Sequence, residues 1–186
     1  MRIVSGIYKG QSISAPKDSH IRPTTDRIRE SVFNILEHGI EGFSLEGARA
    51  IDLFAGTGAL GLEAISRGAR FSLFVEEAAS ARGLIRENIE KFGAGGKTRI
   101  FRRDATQLGE VGTMQEFDLA FLDPPYGKGL GEKALNALHG GGWLAENALI
   151  VWEEEKKTEL QLPQEFHRLD QRIYGNIQIV IARYST

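Results

Sequence analysis

From Ala48 to the end of the chain, short apolar runs alternate with stretches of helical periodicity, and this alternation limits the fold more than any other feature. ARAIDLF (Ala48 to Phe54) reads as a buried strand, Ala59 to Arg67 as a helix stopped by Gly68, and FSLFVE (Phe71 to Glu76) as a second strand. Ser80 to Phe92 reads as a helix with Leu84, Ile85, Asn88 and Ile89 on or near its apolar face. TRIFRR and FDLAFL follow as strands, Leu130 to Leu138 as a helix, and ALIVWEE as a further strand. HRLDQRIYG and NIQIVIARY close the chain as two strands around Gly175-Asn176, a pair suited to a tight hairpin turn. Strand–helix alternation predicts an α/β fold with a mostly parallel sheet, helices on both faces and an antiparallel element at one edge.

The first 47 residues do not follow this pattern and are expected to form an extension to a compact unit spanning 48–186. RIVSG and QSISA are short alternating runs around YKG and predict a β-hairpin. RPTTDRIRESVFNILEHG follows. Pro23 keeps helix from extending backwards, Thr24 or Thr25 can cap, and Asp26 falls in the first turn, where the helix dipole favours an anion. Ile28, Val32, Ile35 and Leu36 share one helical face, and Gly39 ends the run.

In sheets of this type a ligand lies at the carboxyl ends of the strands. Four loops therefore matter: those after Phe54, Val75, Arg103 and Leu122. The first carries Gly56, Gly58 and Gly61 as G-x-G-x-x-G between a strand and a helix, a spacing that lets a ligand approach the backbone and reach free helix N–H groups. Glu76 stands twenty residues beyond Gly56, where an acid can accept from ribose hydroxyls. This much also describes a dinucleotide site. Asp52, just inside the first strand, fits poorly beside a pyrophosphate and well beside a cationic amino-acid group. Asp104 and Ala105 open the third loop; there an acid serves equally as an acceptor for an adenine amine or as a local cap.

The fourth loop is LDPPYGKG. Asp123, when ionised, only accepts hydrogen bonds, and Pro124 and Pro125 offer carbonyls but no N–H. An acceptor-only edge suits a planar –NH₂ group, and Tyr126 offers a flat face for a base, a contact worth about 1–3 kcal/mol in single-strand binders.

Composition removes several alternatives. The absence of cysteine excludes disulfides, thiolate zinc sites and the thiol nucleophile needed for methylation at a cytosine carbon. The four histidines are scattered without metal-ligand spacing, so no metal is expected. A net charge of −2 does not advertise a polyanion partner, yet residues 1–29 hold six basic residues against two acidic ones, and Arg99, Arg102 and Arg103 form a second basic cluster. No apolar run is long enough to span a bilayer, and MRIVSGIYKG lacks a signal-peptide core, so a cytoplasmic location is expected.

FAGTG together with D-P-P-Y resembles the S-adenosylmethionine-dependent methyltransferases of Rossmann-like fold. RIVSGIYKGQSISAP, RPTTDRIRESVFNIL, DLFAGTGALGLEAISRGA, DPPYGKG and GGWLAENALIVWE extend the match over essentially the whole chain, to the bacterial 16S ribosomal RNA (guanine-N2)-methyltransferase family. The resemblance implies a seven-stranded sheet in the order 3-2-1-4-5-7-6. It also implies methyl transfer from S-adenosyl-L-methionine to the exocyclic amine of a guanine in 16S rRNA, within a small ribosomal subunit or its assembly intermediate, with no oligomer required. It implies cofactor contacts at Asp52, Phe54, Ala55, Gly56, Thr57, Gly58, Glu76, Asp104, Ala105 and Asp123, and an amine- and base-holding role for Asp123, Pro124, Pro125 and Tyr126. Arg22, Thr24, Thr25 and Arg27 match the family's RPTTDR segment and are expected to bind RNA. The chain reads VEEAASA after the second strand, which leaves Glu77 as a competitor for the role of Glu76.

Three rivals are distinguishable. A nicotinamide-dependent oxidoreductase explains the glycine loop but not D-P-P-Y. An adenine-N6 DNA or RNA methyltransferase shares D-P-P-Y but usually carries a target-recognition region for which this chain has no room. A non-catalytic RNA-binding module explains only the basic N-terminus.

Overall fold

A computed structural model describes residues 1–17 and 25–186. The sheet has seven strands: β1 (Arg49–Leu53), β2 (Phe71–Val75), β3 (Thr98–Phe101), β4 (Phe117–Leu122), β5 (Leu144–Glu155), β6 (Phe166–Tyr174) and β7 (Ile177–Tyr184). Their spatial order is β3-β2-β1-β4-β5-β7-β6, the order that the methyltransferase resemblance implies. Pairing is parallel from β3 through β5 and antiparallel where β7 meets β5 and β6. The central strands are buried on both faces, which is why ARAIDL and FDLAFL read as nearly unbroken apolar runs.

Among the described residues, four α-helices cover the sheet: α1 (Asp26–His38), α2 (Ala59–Ser66), α3 (Ala79–Lys91) and α4 (Leu130–Gly140). α1 begins at Thr25, whose Oγ1 accepts from the Ile28 N–H at 3.2 Å, and ends at Gly39. Its apolar face (Ile28, Val32, Phe33, Leu36) joins Ile65, Leu119, Phe121, Val151 and Ile179 in one cluster on that side of the sheet. On the other face Ile51, Leu53, Leu122, Leu135, Leu138, Ile150 and Trp152 form a second cluster beneath α4. Alternation along each strand fixes these assignments: Phe121 and Val151 point to the α1 side, and Leu122 and Trp152 to the α4 side.

The expected N-terminal hairpin is reduced to a single antiparallel bridge, Arg2 to Ser12. α2 supplies the reason, because it captures the donors and acceptors that a ladder would use. Buried Glu63 accepts from the N–H groups of Val4 (2.9 Å) and Ser5 (3.0 Å), while Ser66 accepts from Ile7 through its carbonyl and from Tyr8 through its hydroxyl. β5 begins four residues earlier than ALIVWEE suggests. Leu144 pairs with Phe117, and the ladder then shifts register past Asn147, whose φ of 67° lies in the left-handed region.

Candidate active site

Four loops leave the carboxyl edge of the parallel strands, and the strand order sets them in a row: the Asp104 loop, the Glu76 loop, the glycine loop and the Asp123 loop. Leu53 is in register with Val75 on one side and Leu122 on the other, so Phe54, Glu76 and Asp123 leave the sheet at one level. The sequence expectation that these loops converge is therefore met by the sheet itself.

The glycine loop turns sharply. Phe54 holds a φ of 58°, a left-handed conformation that costs a non-glycine residue about 1–2 kcal/mol, and nothing in the sequence signals it. Gly56 and Gly58 also have positive φ, at 58° and 79°. The Gly58 N–H donates to the Ala55 carbonyl at 2.8 Å, and α2 begins on the next residue. Gly61 permits close packing: a Cβ there would lie 2.4 Å from the Phe74 ring and 2.5 Å from Ser72 Oγ. Buried Asn88 of α3 donates to the Thr57 carbonyl (3.0 Å) and exchanges two bonds with Ser14, so the N-terminal segment and the glycine loop hang on one amide. Its period placed Asn88 on the inner face of a helix, but no spacing rule linked it to the loop.

Glu76 bridges two of the loops. Its carboxylate accepts from the Gly56 N–H (2.9 Å) through Oε2 and from the Ala78 N–H (2.9 Å) through Oε1, tying its own loop to the glycine loop. Glu77 is exposed and contributes its backbone carbonyl to Arg82. Asp104 folds back locally: its Oδ1 accepts from the N–H and hydroxyl of Thr106 at 2.8 and 2.7 Å, while Ala105 is buried behind it. The local-cap role is thus filled, although a turn rather than a helix follows.

Asp52 is buried under the glycine loop, and its Oδ2 accepts from the Gly61 N–H at 3.0 Å. Burial pushes its pKa up to about 8, partly offset by the Gly61 N–H and reinforced by the negative charge of Glu76. Asp123 is half-buried at the end of β4. Burial raises its pKa well above the usual carboxylate range, and the neighbouring charges of Glu153, Asp52 and Glu154 add to the rise. Pro124 is buried and Pro125 exposed. The Tyr126 hydroxyl donates to Glu153 Oε1 at 2.5 Å, and burial together with this bond raises its pKa, so it remains a donor.

Glu153 and Glu154 did not stand out in the sequence. Both are nearly inaccessible at the end of β5, and Glu154 Oε1 accepts from the Gly127 N–H at 3.1 Å. The signal that could have found them is the one that marked Glu76: acids directly after an apolar strand. No cluster of histidine and acidic residues suited to a metal occurs among the described residues, and no helix among them is long and apolar enough to cross a membrane.

Of the four residues expected to bind RNA, Arg22 and Thr24 lie outside the described residues. Thr25 caps α1, and exposed Arg27 lines a cleft of about 470 Å³ with Glu30, Ser31, Asn34, His38 and Arg172. That cleft shares no residue with the four loops.

A cationic nucleoside ligand and a pyrophosphate make opposite demands on these residues. Burial, reinforced by neighbouring negative charge, raises the pKa of Asp52 and Asp123, so a ligand bearing cations at that end lowers the cost of ionising them. At the other end, the acceptors of Glu76 and Asp104 suit a ribose and a base. A pyrophosphate beside Asp52 and Asp123 would add like charge. The residues fit the first ligand and oppose the second.

Known proteins resemble this chain over most of its length. Residues 1–183 match the family model described as conserved hypothetical protein 95. Ribosomal RNA small subunit methyltransferase D of Buchnera aphidicola is 34% identical over 184 residues, covering 99% of this chain and 93% of that protein. The protein of the same name from Escherichia coli is 36% identical over 160 residues, covering 86% and 77%. The solved structure of yhhF from Escherichia coli superposes with a TM-score of 0.85 at 31% identity, covering 100% of this chain and 98% of that one.

Proposed function

The chain belongs to the conserved hypothetical protein 95 family, and from that premise we propose that it transfers a methyl group from S-adenosyl-L-methionine to the N2 amine of a guanine in 16S rRNA of the small ribosomal subunit. Methyl transfer to ribosomal RNA is the activity named for its relatives. The observation that carries the finer reading is the pairing, on one sheet edge, of an amide-tied glycine loop with an acceptor-only Asp123-Pro124-Pro125 turn.

S-adenosyl-L-methionine supplies a methyl group already activated on a sulfonium. Glu76 is then the ribose acceptor, Asp104 and Ala105 border the adenine, and Phe54 to Gly58 shape the methionine end. Asp52 faces the cationic amino-acid group. Asp123 and the Pro124 carbonyl accept the two hydrogens of the guanine amine, which favours a pyramidal nitrogen and turns its lone pair toward the donor. Pro125 stiffens the turn, and Tyr126 packs the base. Alignment of this kind contributes up to roughly 7–11 kcal/mol in well-oriented cases. The raised pKa of Asp123 suits it to take the amine proton once the nitrogen becomes positive. The target base must leave its stack to reach this edge. Thr25 and Arg27, with Arg22 and Thr24, are the proposed RNA contacts, and residues 1–47 act as the extension that carries them.

Labelled methyl transfer to small ribosomal subunits, free 16S rRNA and DNA in parallel tests the reading. Incorporation into the ribosomal substrates is expected. Incorporation into DNA alone would replace this reading with that of an adenine-N6 enzyme, and tight binding of NAD with no transfer would replace it with an oxidoreductase.

A further inference from the structure

We propose that Glu153 is a positioning residue for methyl transfer, setting the angle of the Tyr126 ring against the acceptor base while Glu154 fixes the peptide that follows. This rests on the functional reading above. The loop after β4 is stiff on one side only. Pro124 and Pro125 restrict the backbone before Tyr126, whereas Gly127 and Gly129 follow it with φ of 69° and 64°. A ring between such neighbours needs an anchor. The Tyr126 hydroxyl donates to Glu153 Oε1 at 2.5 Å, and the next N–H, that of Gly127, donates to Glu154 Oε1 at 3.1 Å. Consecutive residues of the loop are thus pinned by consecutive residues of β5.

Register explains why the anchor is available. Leu122 pairs with Trp152, so Asp123 and Glu153 leave adjacent parallel strands side by side. Phe121 and Val151 face α1, and alternation turns Asp123 and Glu153 to that same side. The position is costly. A second carboxylate is buried beside Asp123, where a leucine or methionine would extend the apolar run Ala148 to Trp152 at lower electrostatic cost. Costs of this kind concentrate where chemistry needs them. The ionisable groups facing Asp123 are Asp52 from β1, Glu153 and Glu154 from β5, and Tyr126 from its own loop. Removing one negative charge from this set makes Asp123 easier to ionise.

The test compares Glu153→Ala, Glu153→Gln, Tyr126→Phe and the Glu153→Ala/Tyr126→Phe double variant, using small ribosomal subunits as acceptor and S-adenosylhomocysteine as the binding probe. Glu153→Ala should lower kcat/KM at least about tenfold, the scale of one lost hydrogen bond to a charged group, and leave S-adenosylhomocysteine affinity within twofold. Tyr126→Phe should match that loss, and the double variant should be no worse than the poorer single one. Glu153→Gln keeps an acceptor in place and should recover most of the activity, while the acid limb of its kcat/KM profile moves to lower pH. Multiplying losses in the double variant, a parallel fall in S-adenosylhomocysteine affinity, or full activity in Glu153→Ala would each overturn the proposal. If Glu153→Ala does not fold, as judged by thermal melting, the direction of the pH shift in Glu153→Gln decides. If the unsubstituted protein transfers no label to ribosomal RNA, the functional reading falls, and this proposal with it; if it does and the variants behave otherwise than stated, only the role of Glu153 falls.

Discussion

The two halves of the active edge handle their carboxylates in opposite ways. On the glycine-loop side, Glu76 and Asp104 are satisfied internally: backbone N–H groups of Gly56 and Ala78 meet the first, and Thr106 meets the second. On the Asp123 side, burial raises the pKa of Asp123, with the charges of Glu153, Asp52 and Glu154 adding to the rise, and burial likewise raises that of Glu154. The first half is complete before any ligand arrives. The second sets Asp123 beside the buried carboxylates of Glu153 and Glu154, and on the proposed reading an amine and a sulfonium would bring donors and positive charge to it. On that reading, the first half is a pre-formed cofactor cradle and the second a substrate grip that its ligand completes.

Substitutions can break this contrast. Asp123→Ala should have the largest effect, lowering kcat about 10²–10³-fold, the scale of one lost electrostatic contact to a developing charge. S-adenosylhomocysteine affinity, measured by calorimetry, should stay within about threefold; equal loss of both would move Asp123 into the cofactor cradle. Glu76→Ala should do the reverse, weakening S-adenosylhomocysteine by about 10–100-fold through two lost bonds to a charged acceptor, while saturating cofactor restores most of kcat.

Asp52→Asn sharpens the contrast through pH. The pKa of Asp52 in the folded protein, about 8, lies above its ordinary value of 3.8. The folded chain therefore holds a proton that the unfolded chain has lost, and stability falls as pH rises from about 4 to 8. Asparagine can still accept from Gly61 without a charge. Tm at pH 8 should rise, by about 2–4 °C per kcal/mol recovered, while affinity for S-adenosyl-L-methionine falls about tenfold through loss of a charged contact. Equal Tm gains at pH 4 and pH 8 would remove the charge from the explanation. Glu77→Ala should do least, with S-adenosylhomocysteine affinity changed by less than about twofold; a larger loss would give Glu77 the ribose.

Much of this was legible in the sequence for a physical reason. Strands buried on both faces leave unbroken apolar runs, and loops at their ends must carry glycine or proline to turn, so FAGTG and DPPY announced themselves. The residues that escaped notice act across the sheet. Glu153 and Glu154 meet Tyr126 and Gly127 from 27 positions away, and Glu63 meets Val4 from 59 positions away. Such contacts are set by strand register and helix docking, which no local pattern encodes. The N-terminal hairpin is shorter than its alternation suggests for the same reason: RIVSG and QSISA pair around Arg2 and Ser12, and α2 competes for the neighbouring backbone groups.

The atom that receives the methyl group tests the substrate grip most directly. Small-subunit 16S rRNA labelled by the unsubstituted protein should yield, on digestion to nucleosides, N2-methylguanosine as the sole labelled product, at one site. Label on a ring nitrogen, a ribose oxygen or an adenine amine would contradict a grip in which Asp123 and the Pro124 carbonyl clasp the exocyclic amine of guanine.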